Sequence, residues 1–137
     1  MSVHQNAIEA MVDDAGRLTG VHHVRAEFGD VPGWVSAVVL DFEHGSWTLS
    51  VDPDDDTVRI DAGRIARREH ESVGPAPAGS PWRQALGMSA QWIWLLRNQR
   101  GYEDGIQFAF VGDRREPCTV QMVAMASRWQ IGLVRSD

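Results

Sequence analysis

Three groups of residues have the types and spacing to do chemistry. The first is Asp52-Pro53-Asp54-Asp55-Asp56, with carboxylates at alternate positions as in the first half of a calcium loop. The helix-loop-helix calcium pattern also needs a glycine at its sixth position and a glutamate at its twelfth. Thr57 and Gly63 stand there instead. The run lies between two strand-like segments and aspartate is a preferred turn former, so it reads as a solvated hairpin turn. Its further interest is as an acidic knob for a partner.

The second group is His4, His22, His23, His44 and His70, with Cys118. No pair has the i, i+4 spacing or the paired Cys/His spacing of a zinc site. Adjacent histidines on a strand point to opposite faces, so His22 and His23 cannot share an ion. Cys118 follows Pro117 at the start of an apolar strand, where a free cysteine behaves as a small hydrophobe. No metal or other cofactor is expected.

The third group is aromatic and basic. Trp92 and Trp94 are two of six tryptophans in 137 residues, and Arg97 and Arg100 follow them closely. The plainer expectation is that the rings fill a thick core under a curved sheet. The alternative is an exposed surface for a protein partner, where Trp and Arg dominate binding energy. The loop Asn98–Gly105 adds Arg100, Tyr102, Glu103 and Asp104, the polar groups of a candidate ligand site beside an aromatic wall. Each residue type also has a turn function: Asn98 can bond the backbone two residues on, Gly101 can take positive φ, and Asp104-Gly105 can bend the chain. The lone tyrosine, Tyr102, is expected to anchor this loop through its hydroxyl. A G-x-S-x-G nucleophile turn, a glycine-rich phosphate loop and an H-E-x-x-H pair are all missing from the sequence, so no catalytic residue is assigned.

The elements that position these groups follow from hydrophobic period. Residues 4–14 place Ala7, Ile8, Met11 and Val12 on one helical face, with Gly16 as the stop. The period then falls to two. Strands are expected over 17–28, 35–42, 46–51 and 57–60, with a turn at 29–33 and a hairpin closed by Glu43-His44-Gly45. Residues 63–80 combine a basic start with a Gly/Pro/Ala tract and read as an irregular, mobile loop. Ser80-Pro81 opens a helical turn that Gly87 ends. Four strands follow, over 88–96, 106–110, 119–126 and 128–134. In the first of them strict alternation puts Met88, Ala90, Trp92, Trp94 and Leu96 on one face. The expected architecture is α+β: one domain over 1–137, with a mainly antiparallel, strongly bent sheet or open barrel of about seven to eight strands packed on the first helix.

Composition bounds the rest. The mass is 15.2 kDa, the net charge −6, and 43% of residues are hydrophobic, as in an ordinary globular chain. One cysteine excludes an internal disulfide. No apolar run suits a membrane span and no signal-peptide pattern opens the chain, so a cytoplasmic location is expected. Residues 1–62 hold twelve acids and three arginines, whereas 63–137 hold seven acids and ten arginines. That acidic first half argues against nucleic acid as the primary ligand and suits a basic protein partner.

The string Trp92-x-Trp94-x-x-x-Asn98-Gln99-x-Gly101-Tyr102-x-Asp104, with Asp54-Asp55-Asp56-Thr57 ahead of it and Ala126-Ser127 before the last strand, resembles a family of small bacterial proteins of unknown function. The resemblance spans residues 17–134. It implies a stand-alone α+β domain and no particular activity. In size and charge such proteins are similar to immunity proteins encoded beside toxins, an analogy without a motif. The leading expectation is a non-catalytic binding protein, of immunity or inhibitor type, that engages a basic partner through Asp52, Asp54, Asp55 and Asp56. The alternatives are a small-molecule-binding or enzymatic domain with a pocket beside the 98–105 loop, and a homodimer that pairs the Trp-bearing sheet.

Overall fold

The computed structural model describes residues 4–28, 31–64 and 71–134, with backbone alone for 27–28 and 31–34. Helix α1 (Gln5–Asp13) buries Ile8 and Met11, and Ala7 and Ala10 pack at the margin of the same core. The chain turns away just after it, where Gly16 takes φ +80°, a left-handed conformation that favours glycine. His4 lies 3.0 Å through Nε2 from the Val58 carbonyl, which ties the start of the helix to a strand edge.

Strands β1 (Leu18–Phe28), β2 (Val31–Phe42), β3 (Gly45–Val51), β4 (Val58–Ala62) and β5 (Glu71–Pro75) form one antiparallel sheet in the order β4-β3-β2-β1-β5. A short helix, α2 (Trp82–Ala85), leads to the second sheet. Its strands β6 (Ser89–Arg97), β7 (Glu103–Val111), β8 (Cys118–Met125) and β9 (Arg128–Leu133) pair in simple meander order. A bent single sheet or open barrel is therefore corrected to two sheets, neither closed. The bridge Arg17↔Ser89 and the bonds around Leu18, Gly87 and Met88 join them at one corner. The strand count rises to nine among the described residues.

The inner faces of both sheets, α1 and α2 share one apolar core that includes Leu40, Leu49, Trp82, Phe108, Phe110 and Met122. Trp82 meets Phe108 and Phe110 edge-on at 5.7 and 6.2 Å, a favourable aromatic geometry. Trp129 donates its indole N–H to the Leu49 carbonyl at 3.1 Å across the sheets, satisfying a buried polar group from each. Cys118 is buried opposite Phe110, and burial pushes its thiol pKa up while the charge of Arg115 works the other way.

Residues 63–80 are also corrected. β5 carries no apolar alternation, yet its backbone pairs with β1 from Ala26↔Glu71 to His22↔Pro75. An edge strand needs a partner's hydrogen-bonding groups more than a buried face of its own. Residues 65–70, with His70, lie outside the described residues, as do residues 29–30 of the expected turn. Val31–Gly33 belong to β2. No described helix is long and apolar enough to cross a membrane.

Candidate functional site

The outer face of the second sheet is set by one irregularity. Ala90 pairs with Phe110, but the next pair is Trp92 with Ala109, so Gln91 is an extra residue on β6. Such a bulge reverses the phase of the strand beyond it. Ala90 faces the core with Phe110, and Ile93 and Leu95 take over that side opposite Phe108 and Ile106. Trp92 and Trp94 are turned outward and are 59% and 43% exposed. The expectation that these rings fill the core, and the alignment of Met88 and Ala90 with them, are corrected by that inserted residue.

Directly paired residues share a face, so the surface around the two rings can be read across the strands. Trp94 lies beside Gln107, Gln121 and Gly132; Trp92 lies beside Ala109 and Thr119. Gln121 donates to Gln107 at 3.1 Å, so this polar pair is internally matched. Met125 and Val134, both exposed, lie at the far side of the sheet. Arg97 and Arg100 are exposed at the end of β6 and in the following loop. Among the described residues β6 has a strand neighbour on one side over 90–97.

That loop is organised by Asn98. Its side-chain oxygen accepts from the backbone N–H groups of Arg100 at 2.9 Å and Tyr102 at 3.2 Å, and its amide donates to Asp104 at 3.3 Å. Gly101 takes φ +85°, which the turn requires. Asp104 thus helps hold the loop, whereas Tyr102 projects, 49% exposed. A cavity lined by Arg17, Ser89 and Arg115 and another lined by His22, Trp82 and Arg83 lie away from this loop.

The acidic run forms the β3–β4 turn. Asp52 accepts from the Asp54 N–H at 2.9 Å, and Asp55 accepts from both the N–H and hydroxyl of Thr57. Asp56, at φ +56°, accepts from the Ser127 N–H at 2.8 Å and ties this turn to the β8–β9 turn. Three of the four carboxylates therefore shape backbone. Glu9 and Asp13 are exposed on the helix and Asp14 at its C-cap, Asp41 and Asp61 lie on the outer face of the first sheet, and Asp54 and Asp55 stand at the turn. These described acids of the first half are spread over separate surfaces.

One polar cluster was not visible in the sequence. Asp41, on the outer face of the first sheet, accepts from Ser46 Oγ at 2.7 Å and from Arg64 at 2.6 Å. His22 Nδ1 is 3.2 Å from the same carboxylate, close enough for an ion pair but not aligned as a hydrogen bond. The serine binds the aspartate and not the histidine, so the order of a nucleophilic triad is absent from this cluster. Its members come from residues 22, 41, 46 and 64, and only strand pairing brings them together. Among the described residues no three His, Cys, Asp or Glu side chains converge as a metal site.

Comparison with known proteins bears on the whole chain. Residues 6–136 match the model of a family described as a family of unknown function (DUF6334). The chain belongs to this family. Neither the curated proteins nor the solved structures contain a match. The family covers α1 and both sheets, so the aromatic face, the Asn98 loop and the acidic turn all lie within its span.

Proposed function

We propose that this member of the family is a non-catalytic binding protein that engages a protein partner through the outer face of β6 and β7. The observation that carries this reading is the exposure of Trp92 and Trp94 side by side on a regular sheet. Large aromatic surfaces are costly to leave in water, and paired exposed rings on a rigid strand have the character of interface anchors. Arg97 and Arg100 border them and favour an acidic rim on the partner.

The acidic-surface version, in which an immunity-type protein covers a basic toxin, draws its support from the exposed Asp54 and Asp55 and from the charge of residues 1–62. It has less to stand on, because Asp52, Asp55 and Asp56 already bind backbone groups. Retention of partners from the source lysate on immobilised protein separates the two versions. The aromatic reading expects the bound protein to be lost with W92T/W94T and kept with D54N/D55N. The opposite pattern moves the site to the acidic turn, and equal retention by all three proteins rejects both. A second copy of the chain is the occupant that sedimentation of the purified protein, with and without W92T/W94T, detects directly.

A further inference from the structure

Trp92 and Trp94 stand on β6, at one side of the second sheet, and its outer face falls away from them. Ala109 and Thr119 continue the row of Trp92, which Val134 ends; the row of Trp94 runs through the two glutamines to Gly132. A side chain built on Gly132 would meet nothing within 4 Å, so β9 presents a hollow at the side away from the rings. Along these rows, and along the next from Leu96 to Gln130, no outward residue is charged, in a chain that is 23% charged. Such depletion of charge marks the centre of an interface and leaves an acidic or basic partner little to recognise there.

We infer that the occupant of this face is a second copy of the chain, which rests on the aromatic face being a docking surface. The face is complementary to itself. A half-turn about a line parallel to the strands, above the boundary between β7 and β8, lays β6 over the partner's β9 and keeps every row at its own level. Trp94 then enters the hollow at the partner's Gly132, and Trp92 covers the partner's Val134. Each contact is made twice, as a two-fold interface requires. Sheets stacked in this way are aligned and about 10 Å apart, the ordinary geometry of face-to-face packing. Gln107 comes over the partner's Gln121. The bond within each copy leaves Gln107 an amide donor and Gln121 a carbonyl acceptor, and these meet at the axis.

The corners agree in charge. The Asn98 loop and the β8–β9 turn lie at the same end of the sheet, so the half-turn brings Arg97 and Arg100 over the partner's β8–β9 turn. Asp56 ties the acidic β3–β4 turn to that corner through the Ser127 N–H, and the aspartates there outnumber Arg128. The area is also adequate. Four strands about 4.8 Å apart, each about seven residues long, span about 400 Å² in projection. The standing rings bring the accessible area toward the roughly 800 Å² per copy of a standard interface, which suits a dimer in the micromolar range.

Sedimentation equilibrium of the full chain up to about 200 μM tests this, with G132E as the deciding variant. The new side chain has open space in a single copy but sets a buried charge against the partner's Trp94. The parent should dimerise with a micromolar Kd. G132E should weaken the dimer at least about tenfold, as should W92T/W94T, while urea unfolding of each variant stays cooperative. A parent that remains monomeric at about 200 μM overturns the inference, as does a G132E protein that dimerises like the parent. Failure of the docking surface itself looks different. A monomeric parent that retains a lysate protein through Trp92 and Trp94 keeps the aromatic face and removes the second copy as its occupant. Dimerisation and lysate retention that both survive W92T/W94T overturn the two together.

Discussion

The outer faces of the two sheets have been treated differently by the sequence. On the first sheet the polar groups answer one another: Asp41 is held by Ser46, Arg64 and His22, and Thr48 donates to the Gly63 carbonyl at 2.7 Å. Val24, Ala37 and Val39 on that same side are buried as a small cluster of their own. On the second sheet the glutamines match each other, but two tryptophans, Met125 and Val134 are left in solvent. The first face is closed except at its edge strand, where Val73 beside Val24 is 45% exposed, and the second is open. Stability alone explains the first; the second retains apolar area that contributes little until something covers it.

The sharpest test of the closed sheet comes from its inner side. His23 follows His22 and points the other way, beside Val38, which pairs with it across β1 and β2. It is 5% exposed, and neither ring nitrogen has a hydrogen-bond partner. Burial first, and the charge of Arg25 second, lower its pKa from 6.5 to about 4. Between those values the unfolded chain binds a proton that the folded chain refuses. The contribution is therefore fully present above pH 6.5 and is lost as pH falls toward 4, amounting to about 3 kcal/mol across the window. Urea unfolding at pH 7 and pH 4.5 should show this loss in the parent and a much smaller one in H23L. Equal losses in the two proteins would mean that His23 reaches solvent.

How much of this was legible in the sequence depended on whether a group is local. Helix α1 and most strands follow the spacing of apolar residues, and the turn chemistry of Asp52–Asp56 and Asn98–Asp104 is written in consecutive residues. The inserted Gln91 is not. Period-two reading carries one phase through residues 88–96, whereas the bulge is chosen by how β6 must meet β7 while Ala90 stays against the core. β5 escaped for another reason: Glu71, Ser72 and Gly74 announce no strand, and its pairing with β1 decides the conformation. The Asp41 cluster needs tertiary structure outright, since Arg64 reaches it from 23 residues away.

A smaller effect tests whether the closed face is held by its polar cluster. D41A removes the acceptor for Ser46 and Arg64 and the carboxylate beside His22. The expected loss is about 1–2 kcal/mol, because the aspartate is largely shielded while Arg64 remains half exposed. Urea midpoints for the parent and D41A at pH 7 measure it. A change no larger than that of an ordinary surface substitution would make the first sheet's outer face as dispensable as the second's, and the contrast would fail.

The smallest expected effect is on the open face. Replacing Trp92 and Trp94 by threonine keeps strand propensity while removing two large rings. Were the rings part of the core, each truncation would cost about 3–5 kcal/mol. As they stand in solvent on the outer side of β6, the double variant should lie within about 1 kcal/mol of the parent. Thermal or urea unfolding reads this directly, and the same preparation serves for the partner-retention experiment. Near-parent stability together with lost retention separates binding from folding at these two positions. A large destabilisation instead would show that the rings support the sheet from outside, and the open face would have to be counted as part of the structure that holds the molecule together.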